Sequence, residues 1–175
     1  MTFKYNNVYV DEVSTVVGPY ETKGPIGNKF DKTYDNLYIK EKTFEQAEVR
    51  LLQDSIDILL EKANKKKEDI DVIISGDLLN QISSSSYAAL KYNIPFLGIY
   101  SACSTSTEGI IIGAALMDSK KVKNVIVSTS SHNMASEKQF RNPTEYGAPR
   151  PMTSTFTATG GASILLTNKK TNIKE

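Results

Sequence analysis

Cys103, His132 and Asp77 are the side chains best placed for chemistry, because each stands where an apolar run gives way to a polar turn. Cys103 is the single cysteine and lies in Ser101-Ala102-Cys103-Ser104-Thr105-Ser106, just before a helical pattern. The first amides of a helix are unpaired and point outward, which makes an anion site and lowers the pKa of a nearby thiol. Ser104, Thr105 and Ser106 add hydroxyls to that turn. The competing reading is a small buried residue, the usual state of a free cysteine. His132 is the single histidine and sits in Ser-Ser-His-Asn, with Ser131 and Asn133 beside it. It is either a site imidazole or a structural hydrogen-bonding group. Asp77 follows Gly76 and is either a site carboxylate or a turn former.

Strands must position these turns. Residues 7–17 are rich in β-branched side chains and partly alternate, as a strand does. Residues 71–75, 95–100, 124–130 and 161–167 are further apolar strand candidates. Between them lie helical patterns. The first begins at Thr43, with Gln46 three residues on as in a capping box. Leu51, Leu52, Ile56, Leu59, Leu60 and Ala63 then give it one apolar face, and Lys65, Lys66 and Lys67 close it at the negative end of its dipole. Ser83–Tyr92 and Cys103–Asp118 are the other helices. Strands alternating with helices predict an α/β layer with a five-stranded, mixed, mostly parallel sheet and helices on both faces. Three strands then deliver Gly76-Asp77, Ser101–Ser106 and Ser130–Asn133 to one carboxyl edge, the edge where open parallel sheets bind ligands. Two features stay open. Residues 18–36 form a long Gly- and Pro-containing connection, either functional or an irregular surface link. Gly160-Gly161 is either a tight turn or a close backbone approach.

Composition narrows the function classes. With 39% hydrophobic and 23% charged residues, the chain has enough apolar material for a packed core. A net charge of +1 gives no reason to expect nucleic acid as a partner. One cysteine cannot form an internal disulfide. The N-terminus lacks a basic segment followed by a long apolar one, so no secretory signal is expected. The longest apolar run, Gly109 to Met117, is far short of the roughly 20 residues that span a bilayer. The expected location is soluble, or peripheral to a membrane through another subunit.

The stretches GPIGNKFDKTYD, SGDLLNQ, IPFLGIYSACSTS, STSSHN and QFRNPTEYG resemble the stage V sporulation protein AD family of spore-forming bacteria, from about Gly18 to Leu166. More distantly the sequence is similar to thiolases and ketoacyl synthases. The resemblance implies a thiolase-like fold of two similar halves, residues 1–175 being the N-terminal one. It implies a role in moving dipicolinic acid, usually with calcium, into the developing spore, alongside other subunits, some membrane-embedded. It places the chain at the forespore inner membrane. By motif it implies Asp77, Cys103, Ser131 and His132 as pocket residues, with Ser104 and Asn133 beside them, binding ligand and not catalysing. No cofactor is implied beyond dipicolinic acid and calcium.

Related condensing enzymes draw a histidine, and a second histidine or an asparagine, from the C-terminal half, so this chain by itself is expected to lack a complete catalytic set. Three functions compete: a dipicolinate-binding subunit, an acyltransferase using Cys103 as nucleophile, and a structural subunit with a vestigial pocket. The helix after Cys103 carries no charge from Gly109 to Met117. A helix apolar all round belongs in an interior. Its outer face is therefore expected to meet the C-terminal half or a second copy of the chain.

Overall fold

The computed structural model describes residues 4–79, 82–140 and 157–171. The elements run β1 (Tyr9–Val17), α1 (Pro19–Thr22), β2 (Lys32–Thr33), α2 (Phe44–Lys62), β3 (Val72–Asp77), α3 (Ser83–Leu90), β4 (Phe96–Gly98), α4 (Thr105–Asp118), β5 (Asn124–Ser131), α5 (Asn133–Phe140) and β6 (Gly160–Thr167). The sheet has six strands in the order β2-β1-β6-β5-β3-β4, one more than expected. The extra strand, β2, is two residues long and lies inside the 18–36 connection. β3, β4 and β5 are mutually parallel, and β6 runs antiparallel to both β5 and β1.

This register builds the functional edge. Asp77 at the end of β3 pairs with Ser130 near the end of β5. Because β6 runs the other way, it begins at that edge, where Gly160 pairs with both Ser131 and Val17. Four strand ends, those of β3, β5, β6 and β1, thus converge there.

Side chains alternate across the sheet into two cores. On one side Ile73, Ile126 and Leu165 pack with Leu52, Ile56 and Leu59 of α2 and Ala88 of α3. On the other Ile74, Val125, Val127 and Leu166 pack with Met117 of α4. Thr43 caps α2 as expected, its Oγ1 accepting from the Gln46 N–H at 3.2 Å. Gly161 is a close approach: a Cβ there would lie 2.6 Å from the Leu51 carbonyl oxygen, so α2 rests directly on the β6 backbone.

α4 departs from its sequence reading at its start. It begins at Thr105, and Cys103 belongs to a separate 3-10 turn, Ala102–Ser104. Its small residues Gly109, Gly113 and Ala114 are buried on its own sheet, while Thr107, Ile111, Ala115 and Asp118 face outward. No helix among the described residues is long and apolar enough to cross a membrane.

Candidate functional site

A cavity of about 750 Å³ opens at the convergent edge. Its walls include Gly76 and Asp77 from β3, Cys103 and Thr105 from the turn into α4, Ser130 and Ser131 from β5, and Ser136 from α5. Gly76 makes this arrangement possible. A Cβ at that position would stand 2.2 Å from the Ile99 carbonyl oxygen and 2.7 Å from Thr105 Cγ2. The chain leaving β4 therefore lies against a bare backbone, which carries the Cys103 turn over the end of β3. The turn stores strain at Ala102, which has a left-handed φ of 46° without being glycine. Cys103 is exposed.

Asp77 is buried, and its carboxylate is fully used. Oδ1 accepts from the Leu79 N–H at 2.9 Å, and Oδ2 accepts from the Ser85 N–H and the Ser85 hydroxyl, both at 2.7 Å. These bonds satisfy an otherwise orphaned donor in the first turn of α3, which has no side-chain cap of its own. Burial raises the Asp77 pKa, and the Ser85 and Leu79 donors pull the other way without cancelling it. Asp77 thus both lines the cavity and braces α3.

His132 follows the same edge, yet its ring turns away from the cavity. The side chain is fully buried. Nε2 donates to the Leu37 carbonyl oxygen at 2.7 Å, and Nδ1 accepts from the Met134 N–H at 3.2 Å. That pair of bonds defines a neutral tautomer. The ring stacks on Phe44, centroids 5.1 Å apart, and burial lowers its pKa. With both nitrogens occupied, the imidazole is not available to Cys103 as a base.

Among the six residues read from the sequence, Asp77, Cys103 and Ser131 line the cavity, and Ser104, His132 and Asn133 do not. The Ser131 hydroxyl donates to the Ala158 carbonyl at 2.7 Å. Ser104 is exposed and bonds back to Ser101. Asn133 is buried, and its backbone N–H donates to Thr159 Oγ1 at 3.0 Å. The turn at Asn80 and Gln81, and the QFRNPTEYG stretch from residue 141, lie outside the described residues.

Sequence reasoning missed Glu48. This α2 residue is fully buried behind the site. Oε1 accepts from the Ser130 hydroxyl at 3.1 Å, and Oε2 has no partner. Burial, with Asp77 adding like charge, raises its pKa to about 8, so the protonated acid dominates at neutral pH. The signal was present, since Glu48 falls on the buried face with Leu51, Leu52, Ser55 and Leu59. The 18–36 connection is also part of the edge. Phe30 lines the cavity, and Glu21 Oε1 accepts from the Thr159 N–H at 2.9 Å.

The comparisons agree with this frame. The family model described as stage V sporulation protein AD matches residues 1–174. The stage V sporulation protein AD of Bacillus subtilis (strain 168) is 42% identical over 167 residues, covering 95% of this chain and 49% of that protein. The chain thus spans about half the length of the curated relative it matches. Among solved structures, 3-oxoacyl-[acyl-carrier-protein] synthase III of Aquifex aeolicus VF5 is similar with a TM-score of 0.59 at 16% identity, covering 91% of this chain and 53% of that one. A variant of OleA from Xanthomonas campestris is similar with a TM-score of 0.62 at 15% identity, covering 95% and 60%. At those identities the likeness is one of fold, the thiolase-like fold expected from the motifs. The family match over nearly the whole chain settles the membership: this chain belongs to the stage V sporulation protein AD family.

Proposed function

We propose that the chain supplies the dipicolinate-binding cavity of a sporulation protein that helps load dipicolinic acid into the developing spore. One observation carries the reading. A roomy cavity joins Asp77, Cys103 and Ser131, while the only imidazole of the chain is buried and occupied elsewhere. Among the described residues no base is oriented on the Cys103 thiol, and polar groups set beside an apolar wall are what a small-molecule pocket presents. Dipicolinate is a planar pyridine with two carboxylates, and the cavity offers hydroxyls and apolar wall to such a molecule.

Charge decides how calcium enters. No Lys or Arg lines the described cavity. The one carboxylate, Asp77, already accepts three hydrogen bonds, and the described residues contain no group of three or more His, Cys, Asp or Glu that could hold a metal. Calcium is ordinarily held by six to eight oxygens. These residues do not make a calcium site, so in this reading calcium is cargo, chelated by dipicolinate itself. The raised pKa of Glu48 reduces the negative charge a dianion meets.

Calorimetric titration of the protein expressed from its own gene tests the reading. Dipicolinate is expected to bind, and calcium is expected to strengthen binding, because the chelate carries less charge past Asp77. Absence of dipicolinate binding with and without calcium would leave the vestigial-pocket reading standing.

The second reading, acyl transfer through Cys103, draws on the exposure of that thiol in a fold shared with 3-oxoacyl synthases. A stable acyl adduct on Cys103 after incubation with an acyl-thioester, followed by turnover, would favour it. In either reading the outward row of α4 is proposed to meet a further domain or a second copy of the chain. Attachment to the forespore inner membrane is proposed to run through other subunits.

A further inference from the structure

The Ser136 hydroxyl is the unusual member of the cavity wall. Ser136 is 2% exposed, and its Oγ has no hydrogen-bond partner. A buried hydroxyl without a partner is disfavoured, and folded proteins rarely tolerate one without a use for it. A helical serine normally bonds back to a carbonyl one turn earlier. Here the His132 carbonyl already accepts the Ser136 backbone N–H at 2.9 Å, and the hydroxyl makes no such bond.

Four other hydroxyls lining the same cavity are engaged within the protein. Thr105 donates to the Ala102 carbonyl at 2.8 Å, and Ser131 to Ala158. Ser130 donates to Glu48, and Thr15 to Asp31 at 3.2 Å. Ser136 keeps its hydrogen-bonding capacity while already desolvated, the condition that makes a preorganised ligand contact effective. It lies in α5, three residues after Asn133, and lines the cavity that Cys103 also lines.

We propose that the Ser136 hydroxyl is a specificity-determining contact of this cavity, donating to a carboxylate oxygen of the bound ligand. The assignment rests on the dipicolinate reading above. It gives Ser136 a distinct task, which is to tell a dicarboxylate from a monocarboxylate of the same ring.

The test compares wild type and Ser136→Ala, each expressed as the complete protein, by titration with dipicolinate and with pyridine-2-carboxylate. Ser136→Ala is expected to weaken dipicolinate by about tenfold, the loss of one hydrogen bond to a charged group. The preference for dipicolinate over the monocarboxylate is expected to shrink by a similar factor. Without ligand the variant is expected to melt at the same temperature as wild type or higher, because the hydroxyl it removes has no partner in the fold. Equal dipicolinate affinity in the two proteins would overturn this inference and leave the binding reading intact. A clear drop in melting temperature would also overturn it, since it would reveal an internal role for the hydroxyl. A wild-type protein that does not bind dipicolinate would overturn both.

Discussion

Glu48→Gln is expected to make the protein more stable than wild type at pH 8 and to flatten its stability profile between pH 6.5 and 8. Glu48 has a folded-state pKa raised from 4.5 to about 8. Between those values the folded state holds a proton that the unfolded chain has released. Stability from this group is therefore full below about pH 4.5 and is lost as pH rises through about 8. The slope approaches about 1.4 kcal/mol per pH unit, so the loss over the window reaches several kcal/mol. The groups facing Glu48 are Asp77 on β3, Glu45 on α2, the Ser130 hydroxyl on β5 and the His132 N–H after it. Asp77, also raised, contributes with the same sign. His132 opposes it, because its lowered pKa costs stability as pH falls below 6.5. The range from 6.5 to 8 is thus the clean window. Glutamine keeps an acceptor for Ser130 and cannot ionise. Urea denaturation at pH 6.5 and pH 8 measures the effect, and parallel profiles for the two proteins would refute it.

Gly76→Ala is expected to cost about 3 kcal/mol or more, at the upper end of what overpacking does. None of this is a left-handed backbone effect. The added methyl would stand 2.2 Å from the Ile99 carbonyl oxygen, a backbone atom that no rotamer change can move aside. Relief requires lifting the segment between β4 and α4, which carries Cys103. Where the variant still folds, the same displacement is expected to alter the alkylation rate of Cys103. A control at Gly24, where a Cβ would lie 3.1 Å from the Glu21 carbonyl oxygen, is expected to be milder. Equal melting temperatures for Gly76→Ala and wild type would show that the turn does not rest on β3 as described.

The sequence made the frame legible and left the side-chain directions hidden. Thr43 and Gln46 marked the start of α2 because capping is local. The parallel strands β3, β4 and β5 were readable from apolar runs ending in Gly76-Asp77, Ser101 and Ser130, and that placed three turns at one edge. β2 escaped because two residues carry no periodicity, and its pairing with Val16 and Val17 is a long-range contact. α5 escaped because Ser-Ser-His-Asn reads as a turn, while the helix begins at Asn133 within it. The orientation of His132 could not be read at all. It is decided by Leu37 and Phe44, nearly one hundred residues away by number, which the 18–36 connection brings against the ring. Gly160-Gly161 was ambiguous for the same reason, since only the position of α2 makes Gly161 a close approach. Glu48 was legible in principle. A carboxylate on the buried stripe of an amphipathic helix is a signal that periodicity supplies once polar exceptions are sought along with apolar repeats.

The most direct test of the proposed binding role uses the single thiol as a reporter. Cys103 is exposed and lines the cavity, so an alkylating reagent can read occupancy at that position. Saturating dipicolinate is expected to slow alkylation of Cys103 several-fold in the protein expressed from its own gene, and pyridine, which lacks both carboxylates, is expected not to. An alkylation rate unchanged by dipicolinate, with and without calcium, would contradict the assignment of this cavity as the dipicolinate site.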